Sequence, residues 1–388
     1  MDNLAFKLRL SNELNLILEM IEKDVHEINV DTEKFRQLDW NFFIKLSLHH
    51  RLYPMLYPKL KRLSERGVPP SVVKKLYIHY QKNTFQMLQL RKEMEIVNNL
   101  FTENNIRLLF LKGPHLAQQL YGDYSLRTSN DLDLIVNIEN LKEAERLLDQ
   151  LGYVKDDYIR TILSDWKWRH HHVTYYHPQK GTKIEIHWRM HPGPGKEASF
   201  QELWERKKEC TDTLYSLGNE DLFVFLILHG ARHGWSRLRW LVDIQKLFKI
   251  NVDIAKAVRI MKRYRSEHMC GQAVILLSSL LNTHIPEGIH SLRMTKKAKN
   301  LAEGAIFYIE RMVNLHTTPV PEEVSTYHKR YLFTLMPISQ KLLFLLSFLY
   351  PYPEDAETLP LPKTLHFLYF PLRPVLWVWR KTRKQAFT

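Results

Sequence analysis

The run DLDLIV, residues 131–136, limits what this chain can fold into more than any other stretch. An apolar run of this length reads as a buried strand, yet it begins with two carboxylates. Side chains alternate across a strand, so Asp131 and Asp133 share one face while Leu132 and Leu134 share the other. Carboxylates this close repel and raise each other's pKa unless a cation neutralises them. A divalent ion does this well, and magnesium favours carboxylate oxygens together with substrate phosphates. A lone pair of this kind also occurs as a solvated strand end, so the flanking sequence has to supply the rest.

That flanking sequence is helical on both sides of a short α/β segment. Residues 1–104 carry apolar residues at three- and four-residue spacing, as in LSNELNLILEMIEKD and DWNFFIKLSLHHRLYPMLYPKLKRL. This is the signature of helices with one buried face. A long periodic stretch runs from about Pro70 to Asn104 without an internal Pro or Gly. RLLFLKG (107–113) then reads as a buried strand ending in a turn, and PHLAQQLYGD (114–123) as a helix that opens on a tolerated proline. After DLDLIVNI comes a helix over 138–152. HHHVTYYHP (170–178) and TKIEIHWRM (182–190), joined by QKG, read as a hairpin. From about Glu202 the pattern returns to helix, with EDLFVFLILHGARHGWSRLRWLVDIQKLFKI (220–250) as one long apolar-periodic helix. The expected division is therefore a helical region 1–104, an α/β core 105–195, a helical domain 196–350 and a Pro, aromatic and basic tail 351–388.

The ordinary composition of the 388 residues, 45% hydrophobic and 25% charged, suits a globular chain with two or three domains. Two cysteines, Cys210 and Cys270, make no disulfide framework and lack metal-ligand spacing, which points to a reducing cytoplasm. The N-terminus, MDNLAFKLRL, is too polar for a secretory signal. The longest apolar run, LLFLLSFLY (342–350), is about half the roughly twenty residues that span a bilayer. The net charge of +14 suits a nucleoside triphosphate, a nucleic acid or an anionic membrane, and equally a simple solubility surplus.

A third acid gives the pair its chemistry. Glu185 lies between Ile184 and Ile186, so on an alternating strand it faces away from both. Laid beside the first strand, it would bring three carboxylates to one spot. Two cations about 3.5–4 Å apart, held by shared carboxylates, stabilise the attacking and leaving oxygens of a phosphoryl transfer. Lys112 and Gly113 stand between a strand and a helix, where backbone N–H groups and one ammonium form a natural cradle for phosphate.

The order of strand, glycine turn, helix, DxD strand and later carboxylate strand is similar to the DNA polymerase β-type nucleotidyltransferase superfamily. LKGPHLAQQLYGDYSLRTSNDLDLIV, IEIHWR and LHGARHGWSRLRWLVDI resemble, more closely, a bacterial group of uncharacterised nucleotidyltransferases, over roughly residues 30–250. The resemblance implies an α+β fold: a small mixed-sheet nucleotidyltransferase core flanked by helical N- and C-terminal regions. It implies transfer of a nucleoside monophosphate from an NTP, taken as ATP from its abundance, with release of pyrophosphate. Asp131 and Asp133 would hold two Mg2+ ions, with Mn2+ as the substitute. Glu185 would complete the catalytic ion's shell and help activate the acceptor. Lys112 and Gly113 occupy the turn where the wider superfamily usually has Gly-Ser, which leaves the phosphate grip at that turn open.

Further residues follow on weaker grounds. Arg127 either binds the triphosphate or pairs with a carboxylate, and Ser129 accompanies it, while Asn130 shapes the start of the strand. His187 shares the face of Glu185 and is expected at the edge of the site. His170 and His172 share a face of the hairpin, with His171, His177 and His191 nearby, but their spacing matches no zinc pattern. Arg232, His233 and Arg237 are expected along the far wall of the nucleotide cleft, and Asp243 is expected to pair with Arg239 one turn earlier. The tail, with Trp377 and Trp379 beside Arg380 and Lys381, suits a membrane interface or a partner groove, and equally suits packing on the helical region. Small-molecule, peptide, protein and RNA acceptors all stay open; the absence of a recognisable RNA-binding module favours the first three. Two rivals remain. One is a non-catalytic nucleotide-fold binding or scaffold protein; the other is a DxD glycosyltransferase, which should show a larger α/β domain.

Overall fold

The computed structural model describes residues 10–28 and 35–385, with side chains to Thr382. The segments 1–9 and 29–34, assigned by their pattern to the helical N-terminal region, lie outside the described residues, as do the last three residues of the tail. Seven strands among the described residues form one mixed sheet: β1 (Leu108–Phe110), β2 (Leu132–Val136), β3 (Val154–Lys155), β4 (His172–Tyr176), β5 (Lys183–His187), β6 (Lys208–Glu209) and β7 (Tyr215–Ser216). Their spatial order is β3-β4-β5-β2-β1-β7-β6. The central strand β2 runs antiparallel to β1 and parallel to β5, and β5 closes a hairpin with β4. The fold is α+β, a mixed sheet between helical regions.

Alternation along the strands decides which core each residue joins. Leu132, Leu134 and Val136 of β2 and Ile184 and Ile186 of β5 face one side of the sheet, with Leu108 and Phe110 of β1. The helix Pro70–Glu103 covers that side with Met87, Leu90, Met94, Val97 and Phe101, whose spacing of three and four keeps them on one stripe. Each such side chain stabilises the fold by roughly 1.5–3 kcal/mol on burial. The same helix reaches a second core through Val72 and Leu76. Ile135, on the opposite face of β2 and in phase with Asp133, belongs to that second core, with Leu109 of β1 and residues mainly from helices. The acid-bearing face of β2 and β5 is therefore turned toward that second core.

Two parts of the chain differ from the pattern reading. The expected helix over 220–250 is two helices, Asn219–Arg232 and Leu238–Leu247. Between them Gly234 takes φ of 62° and Trp235 takes 54°. A Cβ on Gly234 would come within 2.5 Å of the Tyr308 ring, so both the angle and the space require glycine there. Likewise, the chain does not return wholly to helix at Glu202, since β6 and β7 add to the sheet beside β1.

The tail is ordered into the helices Pro353–Thr358 and Tyr369–Gln385. Tyr369 and Leu376 bury against Ile162, and Asp355 receives Arg373 and Arg380. The other side of the last helix exposes Val375, Trp377, Val378 and Trp379, and an earlier helix, Ile338–Ser347, exposes Leu342, Leu345 and Leu346. No helix among the described residues is long and apolar enough to cross a membrane.

Candidate active site

The site begins at the register of two parallel strands, in which Asp133 of β2 stands beside Glu185 of β5. His187, two residues further on, lies on the same face. Its Nε2–H donates to Asp133 Oδ1 at 3.3 Å and lies 3.7 Å from Glu185 Oε2. His187 was expected at the edge of the site; it sits instead between the two carboxylates. Ligand atoms of Asp133, Glu185 and His187 all fall within 4.8 Å of one another, and those of His171, His172 and His187 form a second such group. Asp131 stands beside these groups, with its backbone carbonyl accepting from Ser129 Oγ at 3.1 Å.

Two ammonium groups face the carboxylates. Lys112 Nζ lies 3.1 Å from Asp133 Oδ1, and Lys183 Nζ donates to Glu185 Oε1 at 2.6 Å. Lys112 arrives there because Leu111 N–H extends the ladder to Asp133 O at 2.9 Å, just past the end of β1. Gly113 follows with φ of 100°, a value that favours glycine, and turns the chain into the helix Pro114–Tyr121. A Cβ there would meet only ordinary contacts with Leu132 and Asp131, so the angle alone selects the residue.

The charges divide unequally. Burial penalises ionised Asp133, but Lys112 and the His187 hydrogen bond outweigh it and lower its pKa. Glu185 is lowered too, since the nearby His187, His172 and Lys183 together outweigh burial. Asp131 goes the other way: burial first, then the charge of Asp133, push it up to about 6. Burial works against charging His187, yet its hydrogen bond to Asp133 and the nearby carboxylate of Glu185 hold its pKa above the usual value. Asp133 Oδ2 and His187 Nδ1 are buried without a hydrogen-bond partner among the described residues. Unpaired buried polar atoms of this kind are costly. Two carboxylates, an imidazole and unsatisfied lone pairs fit a divalent cation.

Several expected contributors lie elsewhere. Of the two roles open to Arg127, the geometry has the carboxylate pair: Nε and NH2 donate to Asp243 Oδ1 and Oδ2, each at 3.1 Å, and both side chains are buried. Asp243 also accepts from the Tyr121 hydroxyl at 2.7 Å. The expected pair of Asp243 with Arg239 is replaced by this one, because Arg239 turns its NH1 to Thr128 Oγ1 at 2.6 Å and to the Thr128 carbonyl. Arg237 donates to the His49 carbonyl, to His49 Nδ1 and to Asn314, on the side of the N-terminal helices. Arg232 and His233 line a cavity whose wall includes His171, one ring away from His187. Sequence reasoning missed Asn83 and Gln86, which reach from the long helix to the carbonyls of Ser125 and Ser129 and hold the approach to β2. Two amides on one face of an otherwise apolar stripe were the available signal.

A mixed sheet that sets acids from two parallel strands side by side, with a lysine at a glycine turn, is the frame of a nucleotidyltransferase core. The family model described as uncharacterised nucleotidyltransferase matches residues 36–282, well over half of the chain. The protein belongs to that family, which makes it a transferase by descent. No curated protein matches the chain.

Proposed function

We propose that the protein moves a nucleoside monophosphate from an NTP, ATP being the first choice, to a nucleophilic group of a small-molecule, peptide or protein acceptor. The acceptor oxygen bonds to the α-phosphorus, the bond from that phosphorus to the bridging oxygen breaks, and pyrophosphate leaves. The observation that carries this reading is the register of Asp133 beside Glu185 with His187 between them, in a chain of this family. Asp131, Asp133 and Glu185, with His187, would hold Mg2+ or Mn2+, which supplies Lewis-acid polarisation of the transferring phosphoryl group. Glu185, beside His187, would complete the ion's shell and so help activate the acceptor hydroxyl, whose proton passes to water. Lys112, at the glycine turn beside Asp133, would meet the phosphates, and the cavity bordered by Arg232 and His233 would lie next to them.

The test is thermal denaturation with each of the four common NTPs, with and without Mg2+ or Mn2+, together with pyrophosphate release on mixed acceptors. A divalent-dependent rise in Tm with at least one NTP is expected, and lost in Asp133→Asn. No shift with any nucleotide would favour a binding or scaffold role for an inherited core.

We infer a further partner from the last helix. The exposed Val375, Trp377, Val378 and Trp379 lead to the exposed Lys381, while Arg380 is held by Asp355, so an apolar band ends at a cation. Amphipathic tryptophans bordered by cations suit an anionic bilayer surface. Vesicles containing about one-third phosphatidylserine are expected to sediment the protein, and neutral vesicles to do so less. Trp377→Ser with Trp379→Ser should release it. Equal sedimentation of that variant would remove the tail from any membrane contact.

A further inference from the structure

Beside the carboxylates lies a cavity of about 360 Å³, large enough for a small ligand. Six imidazoles, one guanidinium and one ammonium line it, and no aspartate or glutamate does. It is built from three places: the end of the β4–β5 hairpin with His171 and His191, the helix Asn219–Arg232 with its C-cap His233, and the segment 315–332. The Arg232 guanidinium and the rings of His191, His229, His233 and His316 make no hydrogen bond to any described residue. His191 Nε2 is fully buried in that state. Arg232 is opposed only by Glu197, which is already engaged by Arg189 and by the backbone N–H groups of Met190 and His191.

Such a wall is costly as it stands. Arg232, His229 and His233 are half-buried and His191 Nε2 fully so, and donors partly removed from water without partners favour a ligand that accepts from them. No acid offsets the guanidinium and the ammonium along this lining, and the imidazoles between them offer N–H donors. The rings of His233 and His316 stack at 5.8 Å, and Lys329 stands exposed at the mouth. Imidazole and guanidinium N–H groups converging from three elements suit a multiply charged oxyanion, which accepts from several donors at once. The rings of His171 and His187 lie 5.3 Å apart, so an anion here sits one side-chain layer from the carboxylates.

We propose that this cavity is an oxyanion subsite that holds a phosphate group of a substrate. This deepens the function proposed above and rests on it only for the place of the reacting phosphorus. The phosphate comes either from the outer part of the nucleotide's triphosphate or from a phosphorylated acceptor. In the first case the cavity holds the leaving pyrophosphate; in the second it orients the acceptor toward the α-phosphorus.

The experiment is titration calorimetry of the full chain with inorganic pyrophosphate at neutral pH, in chelator and without divalent ions. Saturable binding is expected, weakened about tenfold or more in Arg232→Gln and measurably in Lys329→Gln with His316→Ala, two exposed changes that spare the fold. Asp133→Asn should keep its affinity for pyrophosphate, so a failure of catalysis and a failure of the subsite are read separately. Displacement of pyrophosphate by an NTP assigns the subsite to the nucleotide. Simultaneous binding, with displacement by a simple phosphate monoester such as glycerol phosphate, assigns it to the acceptor. Absence of saturable binding, or undiminished affinity in both the Arg232 variant and the double variant, would overturn the proposal.

Discussion

Asp243→Ala is expected to destabilise the protein by about 3–5 kcal/mol, because it leaves a buried guanidinium without its partner. Arg127 and Asp243 are both almost fully inaccessible to solvent and joined by two hydrogen bonds. Removing the carboxylate also deprives the Tyr121 hydroxyl of its acceptor. The pair crosses from the loop before β2 to the helix Leu238–Leu247, so its loss is expected to loosen the approach to Asp131 as well as to lower the unfolding free energy. Urea unfolding of the wild type and of Asp243→Ala measures the first effect. Arg127→Met combined with Asp243→Leu should recover part of the loss, since an apolar pair of similar volume escapes the desolvation cost. A single-variant cost below about 1 kcal/mol would mean that water reaches the pair and that it contributes little.

This pair also marks the limit of what could be read from the chain. A bidentate contact between residues 116 positions apart has no local signal: Asp243 in RWLVDI has an arginine one turn before it, and helical spacing favours that neighbour. By contrast, the alternation in DLDLIV and in KIEIHW is set by the two-residue repeat of a strand, so the shared face of Asp131 with Asp133, and of Glu185 with His187, was legible. Which strand lies beside which, and at what register, was not. That is why His187 appeared peripheral: periodicity gives its face, but only the parallel pairing of β2 with β5 brings it between two acids. The two-residue strands β3, β6 and β7 are too short to show any period, and β7 joins the sheet through β1, about a hundred residues earlier. The break at Gly234 was hidden by apolar residues that continue in phase on both sides, although a glycine beside a tryptophan was the clue. The cavity beyond His171 combines three separate segments, and no single one of them looks like an anion site.

Asp133→Asn and Glu185→Gln are expected to reduce nucleotidyl transfer by roughly 10³-fold or more, since each removes several kcal/mol of charge stabilisation from the reacting phosphoryl group. The stability of the variants separates this from a structural role. Asp133 has a lowered pKa, so the stability it contributes is present above the ordinary carboxylate range and is lost as pH falls through its folded value. Neutralising it removes that contribution at pH 7 and lowers Tm by about 1–3 °C. Asp131 has the opposite sign. Its pKa of about 6 means that protonation is favoured in the folded state, and that this stability is lost as pH rises through 6. Asp131→Asn should therefore equal or exceed the wild-type Tm at pH 8, with a smaller advantage at pH 5. A site arranged for binding a cation carries such a like-charge penalty when no cation offsets it; a solvated strand end does not. Divalent ions should raise the wild-type Tm more at pH 8 than at pH 5 and do little for Asp131→Asn. If Asp131→Asn instead destabilises at pH 8 while transfer persists, the two aspartates are structural, and the chemistry has to be sought among the imidazoles on the other side of His187.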